Sequence, residues 1–464
     1  DAYNNWETDY VLLAGDINVV PMRGLHCAAW EGSRYVDNIP SDLYFQCLDG
    51  TYNSDGDSLW GELTDGPDEG DVDLAAEVYI GRASAENAVE LSNWIFKTLG
   101  YELMNPADPF LLSAVMAGEH LGSNFGPGDY AFAKPRMEEI RLGADTAGYT
   151  TLGFAANPAM AVDTLYELDL HESLKLSMEP AINSNRYSII NHLGHGSPDY
   201  VMGFKNAAVD NFTNEKFFFL TSQACHPGAF DQDSMSEHLT TSTRHGAFAV
   251  VLNSRYGWGA YCDSPETVDG PSQRFQRQFW HAAFADVVQE LGIMNALSHE
   301  RNIWCVNEDC IRWCYYESNL QGDPAARLSA APKGEYLILK SRTVTEGGGD
   351  GLLNPGESAQ VTVRLMNLGL DDSENVTATL STEDAYVTVT SAEASYGTVA
   401  ARGGEVDSAP PYTITVASDC PTPHQVEFEL AMQSDGGEST TNYFSVWVVK
   451  SCRISGTVRL DGSP

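Results

Sequence analysis

Two apolar runs constrain the fold of this 464-residue chain more than any other feature. Tyr187-Ser-Ile-Ile-Asn-His-Leu-Gly-His195-Gly-Ser197 ends in a histidine flanked by glycines. Phe217-Phe-Phe-Leu-Thr-Ser-Gln-Ala-Cys225-His-Pro-Gly228 ends in a cysteine and a turn. Apolar runs of this length, bounded by Gly and Pro, suit strands buried on both faces of a parallel sheet. Ligands and chemistry on such sheets collect beyond the carboxyl ends of the strands. Both runs end there in a residue type that cysteine nucleophilic catalysis needs, an imidazole and a thiol. His192 lies an odd number of residues before His195, so in a strand the two face opposite sides, and His192 reads as structural. His226 follows the thiol directly and points away from it in extended backbone, which makes it a poor base.

Asn191-His-Leu-Gly-His195-Gly-Ser197 followed by Ser222-Gln-Ala-Cys225 resembles the His and Cys motifs of the gingipain-type cysteine peptidases, in the caspase-like clan. The resemblance extends upstream. Tyr10-Val-Leu-Leu-Ala-Gly-Asp16, Ser41-Asp-Leu-Tyr-Phe45, Glu77-Val-Tyr-Ile-Gly-Arg82 and a helical stretch ending at Tyr101-Glu102 follow the order of that family's first lobe. The resemblance implies His195 as catalytic histidine, Cys225 as nucleophile and Glu119 as the carboxylate orienting the histidine. It implies Trp258 as a wall of the S1 pocket and Ser254 as part of the cleft lining. Asp129 and Asp263 compete as the carboxylate that would select an Arg or Lys side chain at P1. The backbone N–H groups of Gly196 and Cys225 suit an oxyanion hole, and glycine at 196 suits close approach of substrate backbone.

The expected fold class is α/β: a caspase-like parallel-sheet catalytic domain (residues 106–325) preceded by a partial α/β lobe (1–105). An all-β immunoglobulin-like sandwich follows over 335–452, where short alternating strands are separated by turn clusters. Ile454-Ser-Gly-Thr-Val-Arg-Leu resembles the first strand of a further β module over 453–464. In residues 85–102 the helical spacing puts Ala88, Leu91, Trp94, Ile95 and Leu99 on one apolar face. The first lobe lacks a βα unit before Tyr10. A segment cleaved from the proform by the peptidase itself, and still docked against strand 10–15, would account for it.

Sixty-five acidic against 26 basic residues give a net charge of −39. That balance excludes nucleic acid and anionic membrane as partners and suits divalent-cation binding. No run is long and apolar enough for a membrane span. Asn53, Asp55, Asp57 and Glu62 carry alternating oxygen ligands around a glycine, at a spacing close to the start of an EF-hand loop, so calcium is expected there. Asp350 to Glu357 is a second candidate loop. Nine cysteines leave eight beside Cys225, enough for four disulfides in an oxidising, extracellular compartment, with Cys27–Cys47 and Cys420–Cys452 as candidate pairs. Cys305, Cys310 and Cys314 lack a second pair at zinc-site spacing. The resulting expectation is a secreted cysteine endopeptidase acting on protein or peptide substrates. The rivals are a binding or adhesion protein on a peptidase scaffold and a Cys-His transpeptidase.

Overall fold

The computed structural model describes residue 3 and residues 8–30, 34–48, 50–105, 108–157, 160–264, 268–328, 334–348, 351–367, 369, 371–401, 403–437 and 439–450. The chain forms two compact units, residues 1–331 and 332–464. The boundary expected at 105 does not divide the first unit. Strands on both sides of it join one eight-stranded sheet. The strands are β1 (Tyr10–Ala14), β2 (Tyr79–Ala83), β3 (Ser113–Gly118), β4 (Ala161–Tyr166), β5 (Ile189–Leu193), β6 (Phe218–Ser222), β7 (Ala247–Asn253) and β8 (Ser318–Gln321), in spatial order β1-β2-β8-β7-β6-β5-β3-β4. The five strands from β7 to β4 are mutually parallel, β8 runs antiparallel to β7, and β1, β2 and β8 are parallel to one another.

Every residue of β5, β6 and β7 is buried. That is the consequence of runs with no polar alternation: a strand apolar on both faces must be covered on both. Two core clusters flank the central strands. One gathers Phe219, Phe248, Phe279 and Trp280, and the other gathers Ile190, Leu220, Val250 and Met178. Each such side chain, fully buried, contributes roughly 1.5–3 kcal/mol against exposure.

The helix α1 (Ala88–Glu102) starts where Asn87 caps it, its side chain accepting from the N–H groups of Val89 and Glu90. Its buried face is not the expected one. Ile95 and Leu99 are exposed, while Asn93, Lys97 and Thr98 are buried with Trp94 and Tyr101. The neighbouring π-helical turn His238–Ser242 and the residues just after it decide this, because their backbone carbonyls need donors. Lys97 Nζ donates to Leu239 O and His245 O, at 2.8 and 2.9 Å, and Asn93 donates to Thr241 O and Ser242 O.

The expected disulfides do not form among the described residues. All eight described cysteines are free thiols, Cys27, Cys47 and Cys420 included, and Cys452 lies outside the described residues. Among the described residues, no helix is long and apolar enough to cross a membrane.

The second unit is all β. One antiparallel sheet contains the strands Leu337–Glu346, Ser358–Asn367, Gly404–Asp407, Tyr412–Val416 and Val387–Ser391. The other contains Glu393–Val399, Ser373–Ser381, His424–Gln433 and Thr440–Val448. Both sheets send side chains into one core, including Val361, Val363, Leu380 and Phe428. Asp350 and the module expected over 453–464 lie outside the described residues. Glu357 uses Oε2 to accept from Asn354 N at 3.0 Å, which closes the Asn-Pro-Gly-Glu turn.

Candidate active site

Strands β5 and β6 are adjacent and parallel, with His192 in register with Ser222. His195 and Cys225 each lie three residues beyond that registered pair, so both chains leave the same end of the sheet side by side. His195 is exposed and Cys225 is half-buried. Cys225 Sγ lies 3.7 Å from Gly257 O. Both residues line one cavity of about 50 Å³. Burial, then the nearby Glu317 carboxyl, pushes the Cys225 thiol up to about 11. The resting group is therefore a thiol, and attack on a substrate requires a base to take its proton.

Gly196 is tight against the Cys225 segment. A Cβ there would lie 2.6 Å from Cys225 O and 2.9 Å from Ala224 Cβ. The missing side chain thus makes room for the chain's own Cys225 rather than for substrate. Gly196 and Ser197 pair with Val201 and Tyr200 across a two-residue turn. The pair closing such a turn exchanges the hydrogen bonds, and the next pair does not, which leaves the Gly196 N–H facing away from its partner strand.

Glu119 follows β3 and is buried. Its Oε2 accepts from the backbone N–H of His195 at 2.8 Å, and its Oε1 lies 3.6 Å from His192 Nε2. Burial would raise the carboxyl, but the His192 ring and the His195 N–H outweigh it and hold Glu119 below its usual range. Glu119 therefore fixes the loop that carries the histidine by its backbone, where a contact with the His195 ring was expected. Glycine at 194 makes this possible, since a Cβ there would lie 2.4 Å from Glu119 Oε2. His192 is completely buried, with Nδ1 2.8 Å from Ser222 Oγ, and ties β5 to β6. The His226 ring packs edge-on against Tyr256.

Residues 1–329 match the model of peptidase family C25. The chain belongs to peptidase family C25. It is accordingly a cysteine peptidase, a hydrolase. Among solved structures it is similar to the Arg-specific cysteine proteinase gingipain R, at 17% identity and a TM-score of 0.53, covering 95% of this chain and 84% of that one. It is also similar to the complex of Porphyromonas gingivalis RgpB pro- and mature domains, at 17% identity and a TM-score of 0.51, covering 96% and 87%. No curated protein matches.

The pocket of this C25 peptidase differs from expectation in its walls. Trp258 lines it, and its ring stands edge-on to Trp30, Tyr35 and Trp313. The helix α2 (Lys134–Leu142) contributes Arg136, and the first turns of α3 (Pro271–Phe284) contribute Ser272 and Gln273. Ser272 Oγ also accepts from Trp258 N at 2.8 Å and so holds the tryptophan segment. Ser254 does not reach the pocket: it is fully buried, and its Oγ donates to Pro40 O at 2.7 Å. Asp129 and Asp263 are both exposed, and neither lines the pocket. Asp129 sits in a short 3-10 turn, Gly128–Ala131, that turns its side chain to solvent.

Sequence reasoning missed Arg136, Gln223, Ser272 and Gln273. Gln223 stands two residues before Cys225, an even spacing that placed it on the same side as the thiol and was the one available signal. Arg136 and Gln273 sit on helices whose orientation the sequence does not reveal.

The acidic loop shows a similar exchange. Asp55, Glu62 and Asp65 bring one carboxylate oxygen each within 4.8 Å of one another. Asp57 is outside this group, its Oδ1 accepting from Leu59 N at 2.6 Å. Asp65, not singled out from the sequence, is completely buried, and its Oδ1 has no partner. Asn53 Oδ1 is likewise buried without one. The thiols of Cys305, Cys310 and Cys314 form no metal-ligating group among the described residues.

Proposed function

We propose that the chain is an endopeptidase in which Cys225 and His195 form the catalytic dyad. The supporting observation is that the registered strands β5 and β6 deliver both residues to one cavity. In this reading His195 takes the Sγ proton as sulfur attacks the scissile carbonyl carbon. The N–H groups of Gly196 and Cys225 receive the oxyanion, each donor worth about 10²–10³ in rate. Collapse breaks the C–N bond, His195 returns the proton to the amine, and water hydrolyses the thioester. Glu119 positions the His195 loop.

A basic P1 residue accords with the printed specificity of gingipain R, although neither Asp129 nor Asp263 lines the pocket. We place the enzyme outside the cell, as the −39 charge and a millimolar-calcium setting would suit. Calcium fits Asp55, Glu62 and Asp65, because it would give the buried Asp65 Oδ1 the partner it otherwise lacks. For a segment released by self-processing, β1 is the sheet's edge strand among the described residues and offers an open side.

The test is turnover of fluorogenic peptides with Cys225→Ala and His195→Ala as controls. Both substitutions should remove activity by at least about 10³-fold with unchanged melting temperature. Activity surviving in Cys225→Ala would refute the dyad, and transfer to an added amine in preference to water would favour the transpeptidase.

A further inference from the structure

Three buried polar side chains lie in a row at the ends of β3, β5 and β6. His192 is completely buried, and Glu119 and Ser222 are each 4% exposed. Removing polar groups from water is costly, and apolar residues in their place would pack the strands together at less cost. The row is connected. Ser222 Oγ accepts from Ala224 N at 3.0 Å and stands 2.8 Å from His192 Nδ1. His192 Nε2 faces Glu119 Oε1 at 3.6 Å, and neither atom has another hydrogen-bond partner. Glu119 Oε2 accepts from His195 N at 2.8 Å.

The hydrogens of this row have a preferred order. Burial would raise the Glu119 carboxyl, but the His192 ring and the His195 N–H outweigh it. Near neutrality it is therefore a carboxylate and only accepts. A hydrogen on His192 Nε2 points at that carboxylate, whereas a lone pair there would oppose it. The neutral ring then has its lone pair on Nδ1, where the Ser222 hydroxyl donates. Each link points toward Glu119: Ala224 N–H to Ser222, Ser222 to His192, His192 to Glu119. The two ends of the row are backbone N–H groups, one on the residue before Cys225 and one on His195 itself. Gly194 closes tightly over the row, since a Cβ there would lie 2.6 Å from His192 Nε2.

We propose that Glu119, His192 and Ser222 form a buried brace that sets the His195 and Cys225 segments against each other, with His192 and Ser222 as positioning residues for peptide hydrolysis. The inference rests on the dyad reading. None of the three side chains lines the cavity beside Cys225. The brace acts by anchoring one backbone N–H on each side of the dyad. Its Ala224 end also bears on the histidine loop, because a Cβ on Gly196 would lie 2.9 Å from Ala224 Cβ. A displacement of about 1 Å between reacting groups can cost on the order of 10²-fold in rate. The loss should fall on kcat, because the brace does not touch the substrate's pocket.

The experiment compares wild type, Ser222→Ala, His192→Phe and the double variant on a fluorogenic peptide chosen from a panel varied at P1, with Cys225→Ala alongside. Each variant is assayed well below its own melting temperature. Ser222→Ala should lower kcat at least about 10-fold and His192→Phe about 100-fold, with KM within about twofold of wild type. The double variant should be no slower than His192→Phe, since both substitutions break one connected row. If His192→Phe does not fold, Ser222→Ala decides alone. An unchanged kcat in Ser222→Ala, a loss confined to KM, or losses that multiply in the double variant would overturn the inference. Where Cys225→Ala is inactive, those results leave the dyad reading standing. Full activity in Cys225→Ala, or no turnover of any peptide by wild type, would overturn both.

Discussion

Cys225 shows how much one residue's surroundings matter. In the proposed dyad a thiolate attacks, yet burial holds this group as a thiol up to about 11. The free enzyme should therefore be alkylated slowly near neutrality. Its rate with iodoacetamide should climb about tenfold per pH unit from pH 7 to 10. A plateau already reached at pH 7 would mean that a thiolate–imidazolium pair exists at rest. Glu119 makes a related point. Its sequence position marked it as a partner of the histidine, but its oxygen meets the His195 backbone and its other oxygen faces His192. Only Gly194 and Gly196, which leave space for Glu119 and for Cys225, let these chains approach so closely.

At the scale of elements, the helix Ile311–Glu317 feeds directly into β8 and carries a buried acid at its end. Glu317 is completely buried beside Cys314 and Trp313, and its backbone O accepts from Ser254 N at 2.9 Å. Burial is the first cause that holds its carboxyl well above the usual range, with Cys314, Trp313 and Arg255 pulling it back. In the unfolded chain this group ionises near pH 4.3 (roughly). Between that pH and its raised folded value, the folded chain holds the extra proton, so stability falls as pH rises. Glu317→Gln keeps the shape and removes this cost. Its melting temperature should exceed that of wild type at pH 8 and converge with it at pH 4. A gain equal at both pH values would show that ionisation of Glu317 is not the cause.

For the whole molecule, each of the two units has its own core clusters, and the acidic excess is spread over the chain. Calcium bound at Asp55, Glu62 and Asp65 would stabilise the folded state by about 2.7 kcal/mol at a concentration 100-fold above Kd. Melting should therefore shift upward by several degrees between chelator and millimolar calcium, and Asp65→Asn should remove the shift. An unchanged shift in Asp65→Asn would place the ion elsewhere.

The sequence alone determined the sheet's central strands, because β5, β6 and β7 are apolar on both faces and can be satisfied only by burial on both. It also determined that a thiol and an imidazole follow neighbouring strands, since each ends its run at a Gly- or Pro-bounded turn. The all-β character of the second unit was legible from period-two alternation. Tertiary structure alone decided which charged groups meet. Lys97 turned inward toward backbone carbonyls, Asp129 and Asp263 turned to solvent, and Arg136 came to the pocket from a helix distant in sequence from Cys225. Periodicity reports which residues leave water. It carries no information on the partner a buried polar group finds, because that partner comes from whichever element packs against it.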